Sequence, residues 1–498
     1  MSVKTSNPCL ASIKTCSVGT FLANDMHLFR YRNATKTVVL STIHLFVAVS
    51  IIFSLSMTTQ TSVAATAPYQ IACFTADVTI PLNHRCMGVL PTKSRQVVDP
   101  LYAHGFVLLG LDLPIVLCAV DWCEIRNGAY DQWRDALAKA AETKRERVLV
   151  CSLHQHDAPV TDEGAEKLLS DVGLGGELYD TVFHDQTIDK VVSAIRESLK
   201  KPQTVSHIGL GQAIVKDIAS NRRVIDSAGT VRYNRGSRSA SDPFHRQAPE
   251  GEIDPYLKTI SFWNSDRPVL AIHCYATHPM SSYGRGLVSS DFVGLARARR
   301  QRDDPRVRQI YLSGCSGDVT AGKYNDGSVK HREQLINRLY HAMVKAWDST
   351  DRFPITTVSF RNAKLDLPFH PGSHLTEAAL RTSLNDNGKS NEERILAAMG
   401  LASRLRTAHD QPIDFPCIDF GKAQMVLFPG ETFVAYQLLA QKMRPDSFVM
   451  SIGYGECWPG YIPSDSNFDE HFEDKWLWVG PGSEQRIRRA LETALSPP

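Results

Sequence analysis

Two histidines one residue apart open the chemistry of this chain. The apolar run Val148-Leu149-Val150-Cys151-Ser152-Leu153 leads into His154-Gln155-His156-Asp157-Ala158-Pro159. Along a strand alternate side chains share a face, so His154 and His156 are predicted to point the same way and to share one metal or one substrate. Neutral imidazole is a good zinc ligand, and Asp157 suits a base or a carboxylate that orients a ligand. Taken alone, the pair fits ordinary hydrogen-bonded histidines as well as a metal site.

The same design recurs twice. Val269-Leu270-Ala271-Ile272 leads to His273-Cys274-Tyr275-Ala276-Thr277-His278-Pro279, where the proline ends the strand and leaves His278 at its exit. Function in open α/β sheets gathers at the carboxyl ends of strands. His278 is therefore the expected ligand, and His273, on the other face of a regular strand, is expected to be structural. Gln424-Met425-Val426-Leu427-Phe428 runs into Pro429-Gly430-Glu431-Thr432. At such a strand-to-helix turn the Glu431 carboxylate can reach a metal or simply complement a helix N-terminus. Tyr461, in the rigid turn Trp458-Pro459-Gly460-Tyr461-Ile462-Pro463, reads by itself as a packing residue. Gly314-Cys315-Ser316-Gly317-Asp318 lacks the Gly-x-Ser-x-Gly spacing of a nucleophile elbow and reads as a tight turn near the site. Arg222 and Arg223 open a long polar stretch and can clamp a carboxylate or an oxyanion.

These residues need a scaffold of alternating elements. Strand-like runs are Gly105–Leu111, Pro114–Val120, Arg147–Leu153, Val269–Tyr275, Gln309–Leu312, Thr356–Phe360 and Ala423–Phe428. Helical periodicity marks Tyr130–Lys144, Thr187–Leu199, His331–Trp347, Asn391–Thr407, Thr432–Lys442 and Glu484–Leu495. The alternation predicts a layered α/β domain without internal repeats. Asp217–Pro255 is polar and aperiodic and reads as a long functional or mobile loop. A softer boundary near residues 348–354 suggests a subdomain.

The 498 residues suffice for a large core. A net charge of +2 gives no reason to expect a nucleic-acid partner. Arg297, Arg299 and Arg300 beside Asp303 and Asp304 read as a solvated helix face. At the N-terminus, Arg30, Arg32 and Lys36 precede an apolar run from Val38 to Leu55, followed by Ser62-Val63-Ala64-Ala65-Thr66-Ala67. Residues 1–67 are expected to be a signal peptide cut near Ala65 or Ala67, or a retained anchor, with Met26 as an alternative start. That places the protein outside the cytoplasm, periplasmic or extracellular, with membrane-surface association through the anchor. No Cys-x-x-Cys pair occurs, which disfavours a cysteine zinc knuckle. Cys118, Cys151 and Cys274 read as buried thiols, and Cys73 with Cys86 is a candidate disulfide.

Taken in order, these pieces resemble the neutral, non-lysosomal ceramidase family. The match runs from Asp77-Val78-Thr79-Ile80-Pro81 and Asp99-Pro100-Leu101-Tyr102 through His154-Gln155-His156-Asp157-Ala158-Pro159 and Asn221-Arg222. It continues through Ala276-Thr277-His278-Pro279, Val288-Ser289-Ser290-Asp291, Gly317-Asp318-Val319, Pro429-Gly430-Glu431 and Gly460-Tyr461-Ile462-Pro463, and covers residues 74 to 498. The resemblance implies a mixed-sheet metallohydrolase domain of the neutral-ceramidase N-terminal type over residues 68–498. It implies Zn2+ on His154, His278, Glu431 and Tyr461, which turns Tyr461 from packing residue to ligand. His156 and Arg222 then hold the substrate amide or its developing oxyanion, and Ser290 falls at the family's active-site serine. The implied reaction is hydrolysis of the N-acyl bond of a ceramide-like lipid or another small N-acyl substrate.

The chain also departs from the pattern. Asp157 replaces a serine, Phe468 and Phe472 stand where tyrosines are expected, and Phe292 stands where ceramidases tend to carry asparagine. The family adds an immunoglobulin-like C-terminal domain, and this chain, ending soon after Glu484–Leu495, is expected to lack it. Two other readings compete: a serine-dependent hydrolase with Ser290 as nucleophile and His156 as base, and a non-catalytic metal- or ligand-binding protein on the same fold.

Overall fold

Three mixed sheets carry the structure, a computed structural model that describes residues 69–409 and 411–496. The N-terminal signal or anchor, with Cys9 and Cys16, lies outside the described residues. The first sheet runs in the spatial order Val148–Ser152, Ile115–Val120, Tyr102–Leu109, Tyr69–Asp77, Gln203–Val205. The second is Arg308–Ser313, Arg267–Tyr275, Tyr256–Asn264, His207–Ile214, Asp351–Pro354, and the third is Ser359–Leu365, Ile413–Asp419, Ala423–Leu427, Phe448–Ile452.

Each sheet contains one parallel pair, and each pair is joined by a helix, as a parallel crossover requires. Helix Asn127–Ala140 links Ile115–Val120 to Val148–Ser152. Helix Asp291–Asp303 links Arg267–Tyr275 to Arg308–Ser313, and helix Val434–Met443 links Ala423–Leu427 to Phe448–Ile452. The carboxyl ends of the three pairs are tied together. Ser152 donates its N–H to the Tyr454 carbonyl (2.9 Å) and Gly453 to the Ser313 carbonyl (2.8 Å). The Ser313 hydroxyl closes the ring on the Leu153 carbonyl (2.8 Å).

Continuous apolar strands such as Ile115–Val120 make sense in this layering. Leu117 and Ala119 face the other sheets, in a core with Phe106, Ile260, Ile272, Met425 and Met450. Val116, Cys118 and Val120 face the helices, beside Trp133, Leu137, Val191 and Ile195. Both faces are buried, so the period-two alternation of polarity is lost. Each such aliphatic side chain contributes roughly 1.5–3 kcal/mol of burial.

Several expectations shift. The strand expected at Thr356–Phe360 forms at Ser359–Leu365. Residues 217–255 are not one loop: Ser220–Asn221 pairs with Val319–Thr320, Arg223–Ile225 with Val231–Tyr233, and Pro243–Gln247 is a short helix. Around 348–354, Asp351–Pro354 is the edge strand of the second sheet, paired with His207–Ile214. The solvated-face reading of the arginine helix is overturned for two residues, because Arg297 and Arg300 are buried. Arg297 forks onto buried Asp121 at 2.6 and 2.7 Å, the bidentate geometry that makes a buried guanidinium tolerable. Cys73 and Cys86 are both free, as are the other seven described cysteines.

Candidate metal centre

The strand Val148–Ser152 ends two residues before His154, which adopts φ +70°. His154 therefore leaves the strand in the left-handed region, a strain that functional sites tend to hold. The premise that strand alternation aligns His154 with His156 fails for that reason, yet the two rings lie 5.2 Å apart at 87°. His154 is fixed by its N–H on the Trp122 carbonyl (2.9 Å) and by Nδ1 on the Cys123 carbonyl (3.0 Å).

His278 sits three residues beyond its strand, held by its N–H on the Val319 carbonyl (3.0 Å). Its Nδ1 faces the carbonyls of Ser316 (2.5 Å) and Val319 (3.2 Å). The 314–318 turn thus supplies backbone acceptors, as a tight turn at the site can. Glu431 pairs in parallel with Tyr461 and donates its N–H to the Gly460 carbonyl (2.8 Å). That register depends on glycine: at φ +62° a Cβ on Gly460 would lie 1.7 Å from the Trp476 carbonyl oxygen.

These turns bring His154, His278 and Glu431 together, with ligand atoms all within 4.8 Å of one another. His278 Nε2 is 2.9 Å and His154 Nε2 3.3 Å from the same oxygen, Glu431 Oε2. Because both Nδ1 atoms face carbonyls, both carry hydrogen there, which leaves the neutral Nε2 atoms as lone pairs aimed at a carboxylate. Three buried acceptors at such distances repel unless a cation lies among them. Two imidazoles and a carboxylate with backbone carbonyls behind the imidazoles are a donor set that suits zinc. A proton is the alternative. Burial works against charge on His154, but Glu431 outweighs it and raises the pKa, whereas burial and Arg222 push His278 down to about 4. Burial alone would raise the Glu431 carboxyl; the two histidines outweigh it and hold it well below the usual carboxylate range.

Tyr461 is buried with its ring 6.5 Å from that of His278, flanked by Phe433 and Phe472. The Arg222 guanidinium stands 5.6 Å from the Tyr461 ring, with Nε and Nη2 buried and unpartnered. His156 is buried too, and neither ring nitrogen has a partner. Burial, followed by His154 and His278, pushes its pKa well below the usual value, so it is neutral. A neutral imidazole and an unpaired guanidinium beside an acceptor cluster can hold a carbonyl oxygen as it becomes negative.

The remaining candidates face elsewhere. Asp157 accepts the Gly284 N–H at 2.9 Å and anchors the 281–286 segment; burial raises its carboxyl to about 6. The Ser290 hydroxyl donates to Asp99 Oδ1 at 2.5 Å, and the Ser290 N–H donates to the same oxygen at 2.8 Å. Ser290 therefore makes no hydrogen bond to His156, whose nitrogens are free. His273, between Thr259 and Gln309, is structural, as expected.

Two residues escaped the sequence reading. Tyr454 stacks on His154 (4.4 Å, 15°), its hydroxyl 2.8 Å from Ser316 Oγ and 3.5 Å from His278 Nδ1. Its only sequence signal is an aromatic between two glycines. Glu124 is fully buried, paired to Arg126 at 2.9 Å, with Oε1 4.0 Å from His154 Nδ1. Burial lifts its carboxyl to about 7. A Glu-x-Arg pair inside an apolar run was the available signal.

The chain has the neutral-ceramidase fold. It superposes on the crystal structure of neutral ceramidase from Pseudomonas aeruginosa with a TM-score of 0.64 at 14% identity, over 86% of this chain and 74% of that one. A ceramidase complexed with C2 matches with the same score and identity, over 86% and 75%. No family model and no curated protein matches the sequence. The likeness to the ceramidases is thus one of fold.

Proposed function

We propose that this protein is a zinc-dependent hydrolase of N-acyl amide bonds, in which His154, His278, Glu431 and Tyr461 hold the metal. One observation carries the reading: two Nε2 atoms and a carboxylate oxygen converge while both Nδ1 atoms face backbone carbonyls. Zinc bound there supplies Lewis acidity toward the amide carbonyl and makes water a nucleophile at neutral pH. The chain's own groups do the rest. Arg222 offers Nε–H and Nη2–H, and His156 one ring N–H, to the carbonyl oxygen as negative charge develops on it. The other His156 nitrogen is free to take a proton or hand one to the leaving nitrogen. Phe433 and Phe472, packed around Tyr461, keep water from that side.

A ceramide-like lipid is one substrate of this chemistry. The protein acts outside the cytoplasm in this proposal, on the strength of the apolar run from Val38 to Leu55. Among the described residues no helix is long and apolar enough to cross a membrane. A serine-dependent route finds no support in the geometry, since Ser290 gives its hydrogen bond to Asp99. The test is metal analysis of the purified full chain with a panel of N-acyl amides before chelation, after chelation and after zinc is restored. Stoichiometric zinc with turnover that follows it supports the proposal; a folded, metal-free chain that still cleaves, or never cleaves, refutes it.

A further inference from the structure

Resting on the amide-hydrolase reading, we propose that the substrate carries an anionic group close to the scissile amide, received by Arg238 beside Tyr283. The segment 281–286 lies over His156: the Tyr283 ring is 4.9 Å from the His156 ring. The same tyrosine ring is 5.0 Å from the Arg238 guanidinium carbon, so guanidinium and imidazole stand within about 10 Å of each other. Arg238 Nη2 donates to the Tyr283 carbonyl at 2.6 Å, while its Nε is buried without a partner. An N-acyl compound bonded at its amide beside His156 reaches Arg238 with a short substituent on the amide nitrogen.

Arginines around this segment stand without ion-pair partners. Arg238, Arg285 and Arg95 form no ion pair among the described residues, whereas Arg223 is closed by Glu470 at 2.6 Å. Arg95 Nε donates to the Arg285 carbonyl at 2.8 Å, which gathers two exposed arginines on the segment. The acids that face it are already engaged. Asp157 accepts the Gly284 N–H, and Asp291 accepts the Ser281 N–H at 2.8 Å and its hydroxyl, with Arg332 4.0 Å away. Guanidinium donors without carboxylates fit a carboxylate or phosphate brought by the ligand. A neutral alcohol head group would leave the Arg238 guanidinium without an anionic partner.

The probe is a pair of non-cleavable sulfonamides, dodecanesulfonyl-glycine and dodecanesulfonyl-ethanolamine, titrated into the full chain by calorimetry. The glycine compound is expected to bind at least tenfold more tightly, with the gap shrinking as salt rises. Arg238→Gln should cut that gap to under threefold, Arg238→Lys should keep part of it, and Arg306→Gln, at an exposed position, should leave it whole. Equal affinity of the two compounds in the unaltered chain, or a gap that survives Arg238→Gln, overturns the proposal. So does binding of anionic vesicles without a preference for the glycine compound, which would assign these arginines to a surface. The amidase reading fails separately, if the glycine compound is preferred but no dodecanoic acid is released from N-dodecanoylglycine.

Discussion

The two halves of the site are built to opposite rules. In the acceptor cluster both outer imidazole nitrogens are spoken for: His154 Nδ1 rests on Cys123, His278 Nδ1 on Ser316 and Val319, and Tyr454 stacks behind. A few ångströms away, buried His156 has two ring nitrogens, and half-buried Arg222 has a buried Nε and Nη2, that nothing satisfies. A buried unpartnered polar group costs about 1–3 kcal/mol, so the fold spends stability on one half that it does not spend on the other. On the proposed function, the difference separates residues that must not move, because they would fix a cation, from residues that wait for a partner absent from the chain itself.

The largest test of that division is His278→Ala. It should lower zinc affinity by at least about 100-fold and reduce amide turnover to background, read by metal analysis and product release. Retained stoichiometric zinc would erase the distinction between the halves. Arg222→Met should lower turnover by roughly 100-fold while zinc content stays at the original level; loss of the metal would move Arg222 into the other half. His156→Leu is expected to lower turnover by about 10²-fold yet raise unfolding stability by about 1 kcal/mol, because an apolar side chain needs no partner there. A destabilised variant would mean that the ring nitrogens are satisfied in the native protein. Tyr454→Leu should weaken zinc binding by about tenfold, with Tyr454→Phe recovering most of it through the retained stack.

The smallest effect concerns Asp157, whose carboxyl is raised by burial to about 6 from an ordinary 3.8. An acid raised in the folded state favours folding while protonated. That contribution is present below about 3.8 and is lost as pH rises through about 6. Asp157→Asn still accepts the Gly284 N–H, so it should be more stable than the original chain by roughly 1–2 kcal/mol at pH 7 and equal to it near pH 4. Denaturation curves at the two pH values read this directly; equal stability at both would put Asp157 in contact with solvent.

Much of this protein was legible residue by residue. Apolar runs followed by His154, His278 and Glu431 announce strands with polar exits, because a strand buried on both faces must be largely apolar. The α/β alternation follows from the same local periodicities. Tertiary structure decided what no local pattern encodes. The meeting of residues as far apart as 154, 278 and 431 depends on three sheets tied at their carboxyl ends through Ser152, Ser313 and Gly453. The φ of +70° at His154 replaced strand alternation as the reason its ring turns inward. Arg297 went from a solvated face to a buried fork because Asp121, 176 positions away, was there to receive it. Local sequence sets which groups can do chemistry; only long-range packing sets which of them are satisfied by the fold and which are left for a ligand.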